Sequence, residues 1–272
     1  GEDLLSSTPR QIRVYQAMGL ALEDYPVFAH LPFVMGQDNA KLSKRNGEVS
    51  IAWYRDKGFL PEAICNYLAL LGWSPGDDRE NVTMKELTEL FTVEKVHSSP
   101  ARFDMKKLEA INGDKIRALT IDEFLDWSLP FLTKAGVITG TADEIALVKL
   151  ALPLIQERII MLSEVPAMLK FLFVKNFAVE ADSVAKITDD ASKQVLQRSL
   201  KELEPLATWN HDSIEAALRS SLIEEMGLKP RIAFGAVRIA TTGSTISPPL
   251  FESMELLGKE ASLARIRAGL EL

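Results

Sequence analysis

From Gly58 to the C-terminus the chain is punctuated as a string of helices, which commits most of its length to an α architecture. Leu60-Pro61-Glu62-Ala63 opens one helix, since proline suits the first helical turn, and Gly72 ends it. Thr83 followed by Glu86 is a capping box, in which each side chain takes the other's orphan backbone N–H. Asp104 caps a helix from Met105 to about Arg117, and Asp122-Glu123-Phe124-Leu125 begins another, with Phe131 and Leu132 on its apolar face and Gly136 beyond its end. Asp143 to Leu162 is long and apolar with Pro153 inside, so a kink or two shorter helices are expected. Asp212 and Glu215 read as a cap and its partner ahead of Ile214, Ala217, Leu218, Ser221 and Leu222 at helical spacing. Ser247-Pro248-Pro249 opens a helix, with Ser247 as its cap, that Gly258 closes, and Ala261 to Leu270 follows.

The N-terminal stretch reads differently. Thr8 caps a helix with Pro9 at its first position and Gln11 completing a capping box, and Gly19 stops it. Val27 to Met35 has the apolar, partly β-branched look of a short buried strand, and the polar stretch Gly36 to Gly47 reads as a loop. Helix, strand and loop in that order suit the closing edge of an α/β domain.

Composition removes several function classes. Charged residues make up 25% and hydrophobic ones 47%, so packed cores are affordable and disorder is not expected. No run of about 18 apolar residues marks a membrane span. Gly1-Glu2-Asp3-Leu4-Leu5 lacks the basic start and apolar core of a signal peptide, and the chain reads as a piece of something longer. Cys65, alone in an apolar run, reads as a buried, inert thiol. One cysteine and the scattered His30, His97 and His211 offer no zinc-ligand spacing, so no metal is expected. The absence of disulfides suits a reducing cytoplasm. Net charge is −7. From 229 to 272 six basic residues face four acidic ones, giving +2, whereas 180 to 228 holds five against ten, giving −5. A nucleic-acid partner is therefore left open, since cations gathered on one face suffice.

The residues with the clearest chemistry are Lys41-Leu42-Ser43-Lys44-Arg45-Asn46-Gly47: three cations within five positions, a hydroxyl and a glycine, a compact site for oxyanions. By composition alone a solvated basic turn is the commoner use of such a stretch. Its neighbours change that. Ser7-Thr8-Pro9-Arg10-Gln11, Phe28-Ala29-His30-Leu31-Pro32, Gly58-Phe59-Leu60-Pro61-Glu62-Ala63, Asn66-Tyr67-Leu68-Ala69-Leu70-Leu71-Gly72-Trp73-Ser74, Ser99-Pro100-Ala101-Arg102-Phe103-Asp104 and Ser247-Pro248-Pro249-Leu250-Phe251-Glu252-Ser253 follow in order, with Gly258-Lys259-Glu260 near the end. With this series the chain resembles the class I aminoacyl-tRNA synthetases, and among them the bacterial-type glutamyl-tRNA synthetases. Lys41 to Arg45 is similar to their Lys-Met-Ser-Lys-Ser loop, with Arg45 in place of the final serine.

The resemblance implies a mostly α chain: a remnant of an α/β nucleotide-binding domain over 1–37, the signature loop and a stem-contact domain over 38–118, and helical anticodon-binding bundles over 119–172 and 173–272. The parent enzyme would activate glutamate with ATP and Mg2+ to an adenylate, then transfer it to the 3′ end of glutamate tRNA. Lys44 would neutralise charge on the α-phosphate and departing pyrophosphate, Lys41 would assist, and Ser43 and Arg45 would complete the ATP contact. Trp53, Tyr54 and Arg55 lie where the tRNA stem would be met, although buried packing is the commoner use of such aromatics. Arg158 would test the third anticodon base, because a donor-only guanidinium suits the acceptors on the pairing edge of cytosine and not the donors of guanine. Arg238, Ser247, Pro248 and Leu250 would contact the anticodon from the second bundle, with Lys229 and Arg231 on phosphates.

The family's other signature, His-Ile-Gly-His or a variant of it, is absent from these residues. This chain by itself is accordingly expected to bind no ATP and to aminoacylate nothing. A monomer acting in the cytoplasm with glutamate tRNA as its partner is expected. The alternatives are a free-standing tRNA-binding or scaffold module, which would have no use for a pyrophosphate-handling loop, and a non-discriminating synthetase that also charges glutamine tRNA.

Overall fold

Helix punctuation translates into fourteen α-helices among the residues described by the computed structural model, 1–36, 41–42 and 50–272. Two compact units result, Gly1–Ile116 and Arg117–Leu272. The fold is mostly helical, and among the described residues the one sheet is a parallel pair, β1 (Val34–Met35) and β2 (Ala101–Arg102).

The first unit contains α1 (Thr8–Ala17), α2 (Ile51–Lys57), α3 (Pro61–Gly72) and α4 (Met84–Leu90), and most of α5 (Met105–Ala118). Helix α3 begins at Pro61, and the Thr83–Glu86 capping box opens α4 as the sequence predicts. Asp104 caps α5 by accepting from the Lys106 amide at 2.9 Å. Two fully buried asparagines tie the helices together. Asn112 accepts the Leu60 N–H at 2.8 Å, and Asn66 accepts the Val82 N–H at 2.8 Å while donating to the Glu80 carbonyl at 3.0 Å. The run Ala101 to Asp104 supplies β2, places Phe103 edge-on against Tyr67 at 5.2 Å, and then caps α5. Tyr54 is buried, and Trp53 packs on Tyr54 and Phe59, so these aromatics serve the unit's interior.

Several sequence expectations are corrected here. The strand predicted over Val27 to Met35 shrinks to Val34–Met35, and Val27 is 98% exposed. Pro26 and Pro32 donate no ladder hydrogen bond, and β2 offers only two pairing positions. Thr8 caps nothing: a 3-10 turn, Glu2–Ser7, feeds directly into α1, and the Thr8 hydroxyl bonds the His30 ring at 2.9 Å instead. Cys65 is exposed, not buried. Ala63, Asn66 and Tyr67 define the inward face of α3, and position 65 falls on the opposite side of a 3.6-residue turn.

The second unit begins with α6 (Ile121–Lys134), α7 (Ala142–Ala151) and α8 (Val165–Leu169). Capping boxes at Thr120–Glu123 and Thr141–Glu144 start the first two. Pro153 divides the apolar run as expected, α7 giving way to a 3-10 turn at Leu152–Leu154. The remaining helices are α9 (Ala181–Val184), α10 (Asp190–Leu203), α11 (His211–Leu218), α12 (Pro230–Thr242), α13 (Leu250–Leu257) and α14 (Lys259–Leu270). One core joins α10 to α14, with Leu196, Leu203, Ile214, Val237, Met254 and Ile266 fully or almost fully buried. Helix α11 is capped by Asn210, which accepts the Ser213 N–H at 2.9 Å, and not by Asp212. Glu215 reaches Arg219 one turn on, so it is not a capping partner. Among the described residues no helix is long and apolar enough to cross a membrane.

His211 joins the start of α11 to α13. Its Nδ1 lies 2.7 Å from Glu255, whose carboxylate also accepts the His211 N–H at 2.9 Å. The hydrogen bond to Glu255 holds the imidazole above its ordinary value of 6.5. The stabilisation is therefore complete below that value and is lost as pH rises through the raised folded one. Glu255 is held below its ordinary value of 4.5, first by the His211 amide and then by the ring, so its share is lost only in more acidic solution.

Two outcomes follow. Asn112→Ala strands the buried Leu60 N–H and should cost about 1–3 kcal/mol in urea unfolding; a loss near zero would show that water or a backbone shift satisfies that amide. The excess thermal midpoint of wild type over His211→Gln should shrink as pH is raised from about 6 into the alkaline range. A constant difference across that range would mean that the ring is held by packing and not by its charge.

Candidate nucleic-acid interface

Residues 155–159 show how a cation can be presented rigidly outside a helix. Ile155 and Ile159 are fully buried, four positions apart, and they anchor a turn whose outer residues, Glu157 and Arg158, are exposed. The Arg158 N–H donates to the Ile155 carbonyl at 2.8 Å, and the Gln156 side-chain amide donates to the Leu119 carbonyl at 2.8 Å. Arg158 therefore sits on a fixed turn with its side chain in solvent.

Arg238 is placed differently. It lies on α12, half-buried, and its Nη1 donates to the Ser247 hydroxyl at 2.8 Å and to the Pro248 carbonyl at 2.8 Å. Ser247 in turn donates to the Pro248 carbonyl at 3.1 Å. The guanidinium thus holds the turn between α12 and α13 in shape. Ser247 is not the cap of α13, which starts at Leu250 with Pro249 before it. Ser247 and Leu250 are 6% and 3% exposed, and Leu250 belongs to the core of the unit, so neither offers its side chain freely at the surface. At the same turn Ile246 is 75% exposed and Thr245 is exposed.

The two arginines come close enough to feel each other. Burial holds the Arg238 guanidinium below the ordinary arginine range, repulsion from Arg158 pushes in the same direction, and Glu252 on α13 opposes it. Like charges from two separate segments thus act on each other, with one carboxylate opposing them. Such an arrangement favours an incoming acceptor-rich or anionic group, which relieves the repulsion.

A groove of ≈ 780 Å³ runs along α12, lined by Lys186, Ser192, Arg231, Phe234, Arg238 and Thr245 among others, with no acidic residue in its wall. Arg231 and Arg238 were legible as candidates from sequence. Lys186, Ser192 and Thr245 were not, because each stands in a polar tract with no spacing that singles it out, and only the packing of α12 brings them together. Lys229, singled out for phosphates, is exposed just before α12.

In the first unit Lys41 pairs antiparallel with Met35 across an isolated bridge. Its ammonium lies 3.8 Å from the Asp3 carboxylate and 3.9 Å from the centre of the Phe33 ring. Ser43, Lys44 and Arg45 lie outside the described residues. Among those described, no group of three or more His, Cys, Asp or Glu side chains is gathered to hold a metal.

Comparison with known proteins agrees with this layout. Residues 103–270 match the anticodon binding domain family, and residues 1–110 match the catalytic domain of class I tRNA synthetases (E and Q). The chain is 50% identical over 275 residues to a glutamate–tRNA ligase of Saccharopolyspora erythraea, an alignment covering 99% of this chain and 55% of that protein. A glutamate–tRNA ligase of Nocardioides sp. is 49% identical, with 99% and 56% covered. Among solved structures, a glutamate tRNA ligase from Elizabethkingia meningosepticum in complex with its amino acid superposes with a TM-score of 0.80 at 26% identity, over 100% of this chain and 56% of that one. The chain thus spans about half the length of the curated relatives it matches. Its sequence and its helical second unit together show that the chain belongs to the anticodon binding domain family, in the form that glutamate–tRNA ligases carry behind a class I catalytic domain.

Proposed function

We propose that this chain is the tRNA-reading part of a glutamate–tRNA ligase, the whole protein activating glutamate with ATP and Mg2+ and passing it to the 3′ end of glutamate tRNA. The observation that carries the reading is Arg238 shaping the turn before α13, beside a groove that Lys186 and Arg231 also line and no acidic residue enters, with Arg158 exposed on a turn of its own. Anticodon bases are splayed from a single-stranded loop and expose their pairing edges to such donors. In this reading residues 1–37 close the catalytic domain, 38–118 carry the signature loop and the stem contact, and 119–172 and 173–272 are the two anticodon bundles. Lys44, with Lys41, Ser43 and Arg45, faces the phosphates of ATP, and the protein works as a cytoplasmic monomer.

The two arginines have different tasks. Arg158, exposed and on a fixed turn, tests the third anticodon base. Arg238 acts chiefly through Ser247 and Pro248, whose turn it holds, so that Ser247, Pro248 and Leu250 shape the surface the anticodon meets and do not each insert a side chain. Lys229 and Arg231 add phosphate contacts, which make affinity salt-dependent.

A competition titration of the chain against glutamate and glutamine tRNAs at fixed salt tests the assignment. Arg158→Gln exchanges a donor-only group for an amide that also accepts, and should narrow the preference for glutamate tRNA by about 1–3 kcal/mol. Arg238→Met should weaken both tRNAs in similar proportion, because it frees the turn and leaves the third base unread by it. An unchanged ratio in Arg158→Gln would return Arg158 to the status of an ordinary surface cation.

A further inference from the structure

We propose that Arg265 is a positioning residue for anticodon reading: it clasps the helices that carry Arg158 to the helices that carry Arg238, so that the two readers are held at one separation. The inference rests on the anticodon reading above and adds the device that fixes its geometry.

Arg265 lies on α14 and is 9% exposed. Its Nη1 donates to the Thr241 carbonyl at 2.8 Å, and its Nη2 donates to the Phe171 carbonyl at 2.8 Å. Thr241 belongs to the last turn of α12, three positions beyond Arg238. Phe171 lies in the 3-10 turn Lys170–Leu172 that follows α8, in the same stretch of chain as the buried Ile155 and Ile159 that flank Arg158. One guanidinium therefore bridges the two groups directly. Its face lies 3.9 Å from the centre of the Phe177 ring, in the connection between them.

The connection is clipped to the same place. The Glu180 N–H donates to the Gly243 carbonyl at 2.9 Å, and Glu180 pairs with Lys170. Gly243 has φ +85, and a Cβ there would meet the Ala178 carbonyl and the Phe177 ring at 3.2 Å each. The chain after α12 thus turns tightly against the connection, where any side chain would be strained.

An arginine at this position is a costly choice. Burial pushes the guanidinium down to about 10, so the charged form is disfavoured where it stands. An aliphatic side chain would fill a core of this kind at lower cost, whereas a buried ion can specify geometry. A planar fork of N–H groups satisfies two carbonyls at a set angle and stacks on a ring, which a lysine ammonium cannot reproduce. The feature this geometry would serve is the spacing of Arg158 and Arg238, one carried before Phe171 in the chain and the other on α12 with Thr241.

The test uses the whole 272-residue chain with Cys65→Ser, carrying spin labels at Leu150→Cys on α7 and Lys201→Cys on α10, both exposed positions. Wild type should give one narrow interlabel distance. Arg265→Lys, with an unchanged far-ultraviolet circular dichroism spectrum, should broaden it. In unlabelled protein the same change should weaken binding of a glutamate-tRNA anticodon stem–loop RNA by roughly tenfold, within the usual span of coupling between sites. Should Arg265→Lys fail to fold, Arg265→Gln, whose short amide cannot span both carbonyls, is read by the same distance. A narrow, unshifted distance in a folded Arg265→Lys or Arg265→Gln, whatever its thermal midpoint, makes Arg265 an ordinary core residue and overturns the proposal. Wild type that fails to bind the stem–loop refutes the anticodon reading instead, and the distance arm still decides whether the clasp exists.

Discussion

Every helix in a chain of this kind ends in backbone groups that must find partners before it can be packed, and the structure depends on how that need is met. Thr83, Thr120 and Thr141 each accept the N–H three residues on, and Glu86, Glu123 and Glu144 return the favour. Glu144 takes four such donors, from Thr141, Thr139 and Gly140, and the amide of Thr141 leads in pushing its carboxyl down to about 2. Where no helix cap is at hand, a buried side-chain amide does the same work: Asn66 and Asn112 complete the N–H groups of Val82 and Leu60 inside the first unit. Ends satisfied in this way leave short helices free to be defined by their apolar faces. They also leave the segments between helices, such as 155–159 and 243–249, fixed enough to present a side chain at one place.

The same accounting explains how cations are used. Arg238 and Arg265 are both spent on carbonyls, of Pro248 for the one and of Phe171 and Thr241 for the other. Neither is free to act as a simple surface charge. Arg158, Lys186 and Arg231 stand nearer to solvent, so the unit holds two kinds of cation: guanidinium groups that hold the backbone in shape, and exposed ones. In the proposed tRNA reading the two kinds have separate tasks, phosphate contacts setting register and salt dependence while side chains on rigid turns read bases.

Much of the helix layout was legible because capping is local. Thr83 with Glu86, Asp104 before Met105, and Pro61 after Leu60 involve residues within four positions, and each opens the helix expected of it. The misread ends share a cause. At Asp212 and Ser247 the right residue types are present at the right spacing, but Asn210 reaches the amides first, and Arg238 claims the Ser247 hydroxyl from nine positions away. Cys65 was misjudged because an apolar run in sequence carries no phase, whereas α3 has one inward face and position 65 is not on it.

The sequence by itself determined the mostly helical class and the family, because these follow from local periodicity and from an ordered series of motifs. Only the tertiary structure decided which cations remain available. Arg158 and Arg238 are far apart along the chain, and nothing in their local sequence says that one is exposed, that the other holds a turn, or that the two repel each other. Nor does it say that Arg265 spans Phe171 and Thr241. Hydrogen bonds between distant segments depend on how helices pack, and packing is set by the sum of many weak apolar contacts that no short stretch of sequence contains.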